Sequence, residues 1–307
     1  MTYFTMKRTA LVFCTIYAAL SVFAQQPTIM KVTANGVSFN MIEVQGGRFN
    51  MGGTAEQYGS DDSEFPIHVV KLDDFFIGET EVTQALWEAV MENNPSGFQG
   101  DGNLPVERVT WDECQDFVSK LKTITGIDFR LPTESEWEYA ARGGNKSCYT
   151  QYSGSADINE VAWYGNNSGN TTHPVAQLKP NELGIYDMSG NVFEWCQDFY
   201  GDYDMMPVEA PTGPKEGENR VRRGGAYNGT TKGPRVAFRN YELQDIRFNY
   251  IGVRLAASNM NTVSSIVSPV KNEENTDNSI LYNVQGQQIN ENHKGIVIED
   301  GVKRISK

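Results

Sequence analysis

Helical spacing of apolar residues predicts three short helices in the first half of the chain, at about 83–91, 110–121 and 134–142. The second and third begin with capping boxes, in which a threonine and the glutamate three positions later each bind the other's backbone N–H. Gly143 and Gly144 follow the third helix and supply the left-handed conformation that ends it. The capping residues are Thr110 with Glu113 and Thr133 with Glu136.

Short apolar runs between glycines and polar turns predict strands around these helices. We expect an extended lead-in at 25–40 and an irregular second half, 145–257, built of loops with a few short strands. The polar and acidic stretch Gln57–Phe65 is predicted to be a surface loop. The predicted strands are 41–44, 46–53, 68–72, 75–78, 222–227 and 251–255.

The chain begins with the pattern of a secretory signal peptide, which we assign to residues 1–24. Lys7 and Arg8 precede an apolar run, Thr9–Phe23, that ends at Ala24. Because this run is short for a membrane span, we expect cleavage near Ala24, export, and no transmembrane span afterwards. The expected location is the cell surface or the extracellular space, with the periplasm as the alternative.

The composition changes again near the C-terminus. Residues 258–280 are rich in Ser, Asn, Glu and Val, which is typical of a linker. Apolar segments between glycines predict a small β module in 281–307. The main domain is therefore assigned to residues 41–257, after the signal peptide and the lead-in.

Charge and rare residue types exclude several classes of function. A net charge of -13 and a pI near 4.8 exclude nucleic acid as a partner, because phosphate binding needs a clustered basic face. The 3 histidines lie far apart and do not suggest a zinc or iron site. After export Cys114, Cys148 and Cys196 remain, so one disulfide and one free thiol are possible, with the pairing open.

The segment Gly184–Tyr200, GIYDMSGNVFEWCQDFY, combines aromatic residues with a polar turn. Asn191 and Glu194 stand three positions apart on this turn, with backbone carbonyls between them. Oxygen ligands on a tight, glycine-containing turn suit a hard cation such as calcium. The alternative is an aromatic core turn whose Asn and Glu are satisfied by hydrogen bonds within the protein.

The order of these segments resembles that of the formylglycine-generating enzyme, or sulfatase-modifying factor, family. The resemblance runs from residue 46 to residue 256. It implies an irregular α+β fold, related to C-type lectins, with few short helices and strands and low secondary-structure content. The motifs that carry it are GGRFNMGG, EVTQALWEAV, LPVERVTWDECQDF, RLPTESEWEYAARGG, LGIYDMSGNVFEWCQDFY, RRGGAYN and NYIGVRLA.

The resemblance also implies structural calcium. The family's calcium turn corresponds to the segment that contains Asn191, Val192 and Glu194, with backbone oxygens completing the site. A second site would draw on the neighbourhood of Asn159.

The same resemblance argues against copper. Enzymes of this family oxidise a substrate cysteine with a copper ion held by two cysteine thiolates, which follow an Arg-Gly-Gly-Ser motif. Here Ala226 stands at the serine and Gly229 at the first cysteine, and residues 226–239 contain no cysteine. Because Cu(I) prefers soft sulfur ligands, we expect neither copper nor this oxidation.

These substitutions favour a secreted, non-oxidase member of the family that binds a protein, peptide or glycan ligand or has a structural role. The family cleft would be rimmed by arginine and aromatic side chains, which recognition surfaces favour. The alternative role of these side chains is to hold the core together. The four residues are Trp195, Arg223, Tyr227 and Arg239.

Two further functions stay open at this point. One is an active formylglycine-generating or related protein-modifying oxidoreductase, and the other is an assembly component of the cell envelope. The C-terminal module resembles the C-terminal sorting domains of type IX secretion, and the alternative for it is a plain β appendage.

Overall fold

A computed structural model describes residues 27–260 and, beyond them, the backbone of five short strands between residues 267 and 306. The predicted signal peptide and most of the predicted linker lie outside the described residues. In chain order the strands are β1 (Ile29–Ala34), β2 (Val37–Val44), β3 (Gly47–Met51), β4 (His68–Leu72), β5 (Phe75–Gly78), β6 (Phe129–Arg130), β7 (Phe193–Phe199), β8 (Val208–Glu209), β9 (Asn219–Arg223), β10 (Arg239–Leu243), β11 (Ile251–Val253), β12 (Ala256–Ala257), β13 (Val267–Pro269), β14 (Leu281–Asn283), β15 (Gln288–Ile289), β16 (Gly295–Glu299) and β17 (Val302–Ser306). The helices are α1 (Gln84–Met91), α2 (Trp111–Thr125), α3 (Glu134–Ala141) and the single turn α4 (Ile158–Val161).

The three predicted helices are confirmed, together with their N-terminal caps. Both capping boxes form as predicted, at the starts of α2 and α3. Helix α2 continues four residues beyond its predicted end, until Gly126 adopts the left-handed conformation with φ 74°. The short helix α4 lies in the segment where no helix was predicted, and Asp157 caps its first turn.

A six-stranded sheet and two helices build the larger part of the core. Its strand order is β13-β1-β2-β5-β12-β6, so the predicted lead-in contributes β1 and the first half of β2. Helices α1 and α2 pack against β1 and each other, with the rings of Trp87 and Phe117 stacked 4.8 Å apart. Strand β13 comes from the segment predicted as a linker and pairs with β1.

The second sheet contains the aromatic segment at its centre. Its order is β10-β9-β7-β11, with β7 and β11 parallel. The segment Gly184–Tyr200 was predicted to combine aromatic residues with a polar turn, and its second half, Phe193–Phe199, is the strand β7. One face of this sheet packs on α3, whose eight residues are all buried.

Two smaller sheets complete the described part of the chain. Strands β3, β4 and β8 form one of them. The other has the order β15-β14-β16-β17, so the apolar segments predicted as a C-terminal β module do form strands. Among the described residues, no helix combines the length and the apolar character that crossing a membrane requires.

Buried ion pairs connect α3 to the second sheet. Glu134 accepts two hydrogen bonds from Arg239, at 2.8 and 2.6 Å. One helical turn later, Glu138 pairs with Arg223 and with Arg142. All these side chains are at least nine-tenths buried, and buried charges of this kind are stable only when they are paired.

The prediction of a surface loop at Gln57–Phe65 is partly wrong. Gln57 is 3% exposed and Glu64 is fully buried. Glu64 accepts hydrogen bonds at 2.9 and 2.6 Å from Arg235, which lies 171 residues away. An acidic residue in a polar stretch is predicted to be exposed as long as its counter-ion is unknown. Here the distant counter-ion allows the carboxylate to be buried.

Replacing Arg235 by methionine is expected to lower the free energy of unfolding by about 3–5 kcal/mol, because it leaves the Glu64 carboxylate buried without a counter-ion. Urea unfolding of the two proteins measures the difference. As a control, Lys122→Met removes the exposed pair with Asp128 and is expected to cost less than about 1 kcal/mol. Equal effects of the two substitutions would contradict the structural role of the buried pair.

Candidate functional site

The turn that corresponds to the family's active centre directly follows strand β9. Gly225 precedes it with φ 77°, and a side chain there would collide with the backbone of Gly233, at 2.6 Å. The N–H of Gly229 donates to the carbonyl of Ala226 at 2.9 Å, which closes the turn. Ala226 is fully buried, whereas Asn228 at the tip is exposed.

The cysteines of the described chain do not fit a copper centre at this turn. Cys114 lies on the buried face of α2, and Cys196 lies in a separate core cluster with Trp137. Burial raises the pKa of both thiols well above the usual value, which makes them poor thiolate donors. Cys148 is exposed elsewhere, and all three thiols of residues 27–260 are free, so the disulfide considered above does not form there.

A set of aromatic side chains lies around the turn, and we call it the aromatic face. Tyr227 meets Phe98 edge to face at 5.2 Å, and Phe248 stacks on Tyr250 at 4.8 Å. Tyr227 and Phe193 are buried, and the other four rings are partly exposed, so these four supply the accessible apolar surface. The aromatic face consists of Phe98, Phe193, Tyr227, Phe238, Phe248 and Tyr250.

Two charged side chains lie beneath the aromatic face with unsatisfied atoms. The guanidinium of Arg222 lies 4.3 Å from the ring centre of Phe193, is 8% exposed, and its Nη1 has no partner in the described chain. Glu107 is fully buried, and its Oε2 is likewise without a partner among the described residues. Unsatisfied groups of this kind cost about 1–3 kcal/mol each, so they are candidates to contact a ligand.

Burial raises the pKa of Glu107 to about 7, against opposing hydrogen bonds from the backbone of Phe98 and Gly97. Its Oε1 accepts from the N–H of Phe98 at 2.8 Å. Burial, followed by the charge of Glu107, raises the pKa of Tyr227. The acid and the phenol therefore influence each other at the edge of the aromatic face.

The four predicted cleft residues do not share one surface. Trp195 is fully buried and donates from its indole N–H to the carbonyl of Val109 at 3.0 Å. Arg223 is also fully buried, and it lies with Arg239 on the α3 side of the sheet. Only Tyr227 belongs to the aromatic face.

The residues predicted to bind calcium make a closed set of contacts within the protein. Both oxygens of Glu194 accept from Arg254, at 2.7 to 3.0 Å, and one also accepts from Trp137. The side-chain oxygen of Asn191 accepts from the N–H of His173 at 2.9 Å. In this arrangement the two side chains do not fit a calcium site, and calcium stays a prediction of the family resemblance.

Two other residues named with calcium have ordinary structural contacts. The N–H of Val192 donates to Glu81 at 3.1 Å, and Asn159 donates from its amide to Asp157 at 3.1 Å. Within the described part of the chain, no group of three His, Cys, Asp or Glu side chains is placed to bind a metal ion.

Sequence reasoning missed Glu107 and Arg222. Arg222 is next to Arg223 in β9, and neighbouring strand residues point to opposite faces of a sheet. Strand alternation therefore separates an arginine buried against α3 from one beneath the aromatic face. Glu107 gave no comparable signal, since its burial depends on distant segments.

Comparisons with known proteins identify relatives of the main domain. The profile of the sulfatase-modifying factor enzyme 1-like domain matches residues 25–259. "Chaperone protein LppX" of Paenibacillus barcinonensis is 37% identical over 243 residues, covering 62% of this chain and 79% of that protein. The formylglycine-generating enzyme of Streptomyces coelicolor is 28% identical over 284 residues, covering 70% and 88%.

Other relatives extend beyond the shared domain. The "Serine/threonine-protein kinase pkn1" of Chlamydia pneumoniae is 31% identical over 230 residues, and the match spans 65% of this chain but only 35% of the kinase. The similarity to it therefore concerns one part of a longer protein.

Solved structures show the same fold. "Treponema denticola variable protein 1" has a TM-score of 0.67 at 34% identity, covering 75% of this chain and 98% of that one. PvdO from Pseudomonas aeruginosa has a TM-score of 0.67 at 26% identity, covering 76% and 100%. The predicted α+β fold is thus confirmed, and the chain belongs to the sulfatase-modifying factor enzyme 1-like family, which includes the formylglycine-generating enzymes.

Proposed function

We propose that this protein uses the family fold to bind a polypeptide through the aromatic face, and that it does not oxidise cysteine with copper. The observation that carries the proposal is the turn at Ala226–Gly229. It offers no thiolate, yet it adjoins partly exposed rings and the unsatisfied Nη1 of Arg222. We infer that the turn corresponding to the family's active centre serves here as part of a recognition surface.

The composition of this surface supports a polypeptide ligand. Aromatic rings and arginine supply most of the binding energy in protein interfaces, particularly where they are desolvated. The Nη1 of Arg222 suits a backbone carbonyl or a carboxylate, and a protonated Glu107 can donate one hydrogen bond. A relative that is 37% identical is named a chaperone, and chaperones act on polypeptides.

We also propose that the protein is exported, that it is located at the cell surface, and that its C-terminal strands have a sorting role. A chain that leaves the cell with this domain would meet its polypeptide partner in the envelope or outside it. Membership in an envelope assembly is one form that such binding could take.

Binding can be tested with an array of unstructured peptides and a parallel glycan array. We expect peptide binding that falls about tenfold or more in Tyr250→Ala, because an aromatic hot spot contributes about 2 kcal/mol. Tyr58→Ala is the matched control, since Tyr58 is 75% exposed and lies outside the aromatic face. Binding to glycans alone, or equal losses in both variants, would overturn the proposal.

The enzymatic alternative has a direct test. The purified protein is incubated with copper and a peptide that contains Cys-x-Pro-x-Arg, and the peptide mass is followed. We expect no conversion of the cysteine to the aldehyde, because two soft ligands are missing at the turn. Appearance of the aldehyde mass would establish the oxidase instead.

Replacing Glu107 by glutamine is expected to change how stability depends on pH. A carboxyl whose pKa is raised from 4.5 to about 7 in the folded state stabilises the fold fully below about pH 4.5. This contribution disappears as the pH rises through 7. The glutamine variant stays neutral, so its stability relative to the wild type should increase by about 3 kcal/mol between pH 4.5 and 8.

Urea unfolding across this pH range measures the difference between the two proteins. Glu88→Gln, at an exposed position of α1, serves as the control and should run parallel to the wild type. A Glu107→Gln curve that also runs parallel would show that the carboxyl is ionised normally.

A further inference from the structure

A separate cavity lies on the opposite side of the second sheet from the aromatic face. It has a volume of about 490 Å³ and is walled by the end of β7 and by the loops around β8. Tyr203 forms part of its wall, with its ring 4.6 Å from that of His68. Met206 also lines the cavity and is 69% exposed. The residues of the aromatic face do not line this cavity, whereas Arg239, one of the predicted cleft residues, does.

Asp198 is the unusual residue of this cavity. It is 4% exposed, and its Oδ2 accepts from the N–H of Glu134 at 3.0 Å. Within the described chain, none of the hydrogen bonds found reaches its Oδ1. A loop covers it closely, because a side chain at Gly213 would lie 3.2 Å from that oxygen. A carboxylate oxygen at a cavity wall without a donor is a place for a ligand to donate.

The arginine that the described residues place in the cavity wall does not pair with Asp198. Arg239 is already paired with both oxygens of Glu134, and it also donates to the carbonyls of Ser63 and Gly201 at 3.2 and 2.9 Å. Its guanidinium lies 3.8 Å from the ring centre of Tyr203. The charge of Arg239 is therefore already balanced by Glu134.

Further acidic residues stand at the mouth of the cavity. Asp202, Asp204 and Glu209 are exposed there, and Glu209 is partly balanced by Lys71 at 3.2 Å. Together with a net charge of -13, they attract cations toward the opening. Rings and methionines line the path with apolar surface, which suits an alkyl chain.

We propose that this cavity binds an alkyl chain that ends in an ammonium or guanidinium group, with Asp198 as its ion-pair partner and Tyr203 and Met206 along the chain. The ligand is either a free amine or the side chain of a lysine or arginine in a polypeptide. Both sources present the same chemistry to the carboxylate. This inference is independent of the aromatic face.

Protonation gives the proposal a second readout. Burial, followed by the charge of Glu134, raises the pKa of Asp198 to about 8, so the carboxyl is mostly protonated at pH 7. A bound cation favours the carboxylate and expels that proton. Affinity should therefore rise with pH through about 8. The charged groups that influence Asp198 or face it are Glu134, Glu136, Arg220 and Arg239.

Calorimetric titration of the full chain with cadaverine and agmatine tests the inference, with 1-pentanol as the uncharged probe. We expect binding of at least one cation, no binding of the alcohol, and release of nearly one proton at pH 7, obtained from buffers of different ionisation enthalpy. In Asp198→Asn the affinity should fall about tenfold or more. In Asp116→Asn, at an exposed position of α2 outside the cavity, it should change less than about threefold.

Blocked tripeptides with a central lysine or arginine distinguish the two sources. Tighter binding of a tripeptide than of the free amines assigns the cavity to a polypeptide side chain, and the reverse order assigns it to a small amine. The inference is overturned if neither kind of probe binds, if the alcohol binds as well as the amines, or if binding to the wild type releases no proton. The last result needs no variant, so a folding defect in Asp198→Asn does not obscure it.

Discussion

Pairing of buried charge is the constraint on which this structure depends. Helix α3 places Glu134 and Glu138 one turn apart, so both face the second sheet, where Arg239 and Arg223 receive them. With little regular secondary structure, the chain cannot hold its loops through backbone ladders alone. Hydrogen-bonded ion pairs between distant segments hold the loops instead. Their desolvation free energy is offset only because the two partners of each pair are well aligned. Substitution of one partner is therefore more harmful than the absence of the whole pair.

Features that depend on neighbouring residues could be predicted from the sequence. The capping box of Thr110 and Glu113 needs only one turn of chain, and it forms where expected. Strands β4 and β5 have the predicted bounds, since short apolar runs between polar turns define them locally. The family motifs extended this success to the whole fold, because their order reflects the packing of the complete domain.

Features that depend on distant partners could not be predicted. Glu64 is buried because it pairs with Arg235, and the sequence around either residue does not indicate this pair. The candidate site shows the same limit, because Tyr227 was identified from its motif whereas Arg222 and Glu107 were not. Trp195 was assigned to a cleft because aromatic residues are common in both interiors and interfaces, and only packing distinguishes these two environments.

The pair of Glu64 and Arg235 has a consequence for how such domains diversify. It joins two segments that are 171 residues apart in the sequence, and both charged side chains are buried. Insertions and substitutions in the exposed parts of these segments need not disturb the framework, since the ion pair limits the conformational entropy of the segments. An anchored framework of this kind can therefore keep its architecture while its exposed loops change. The framework and the exposed loops can then change independently of each other.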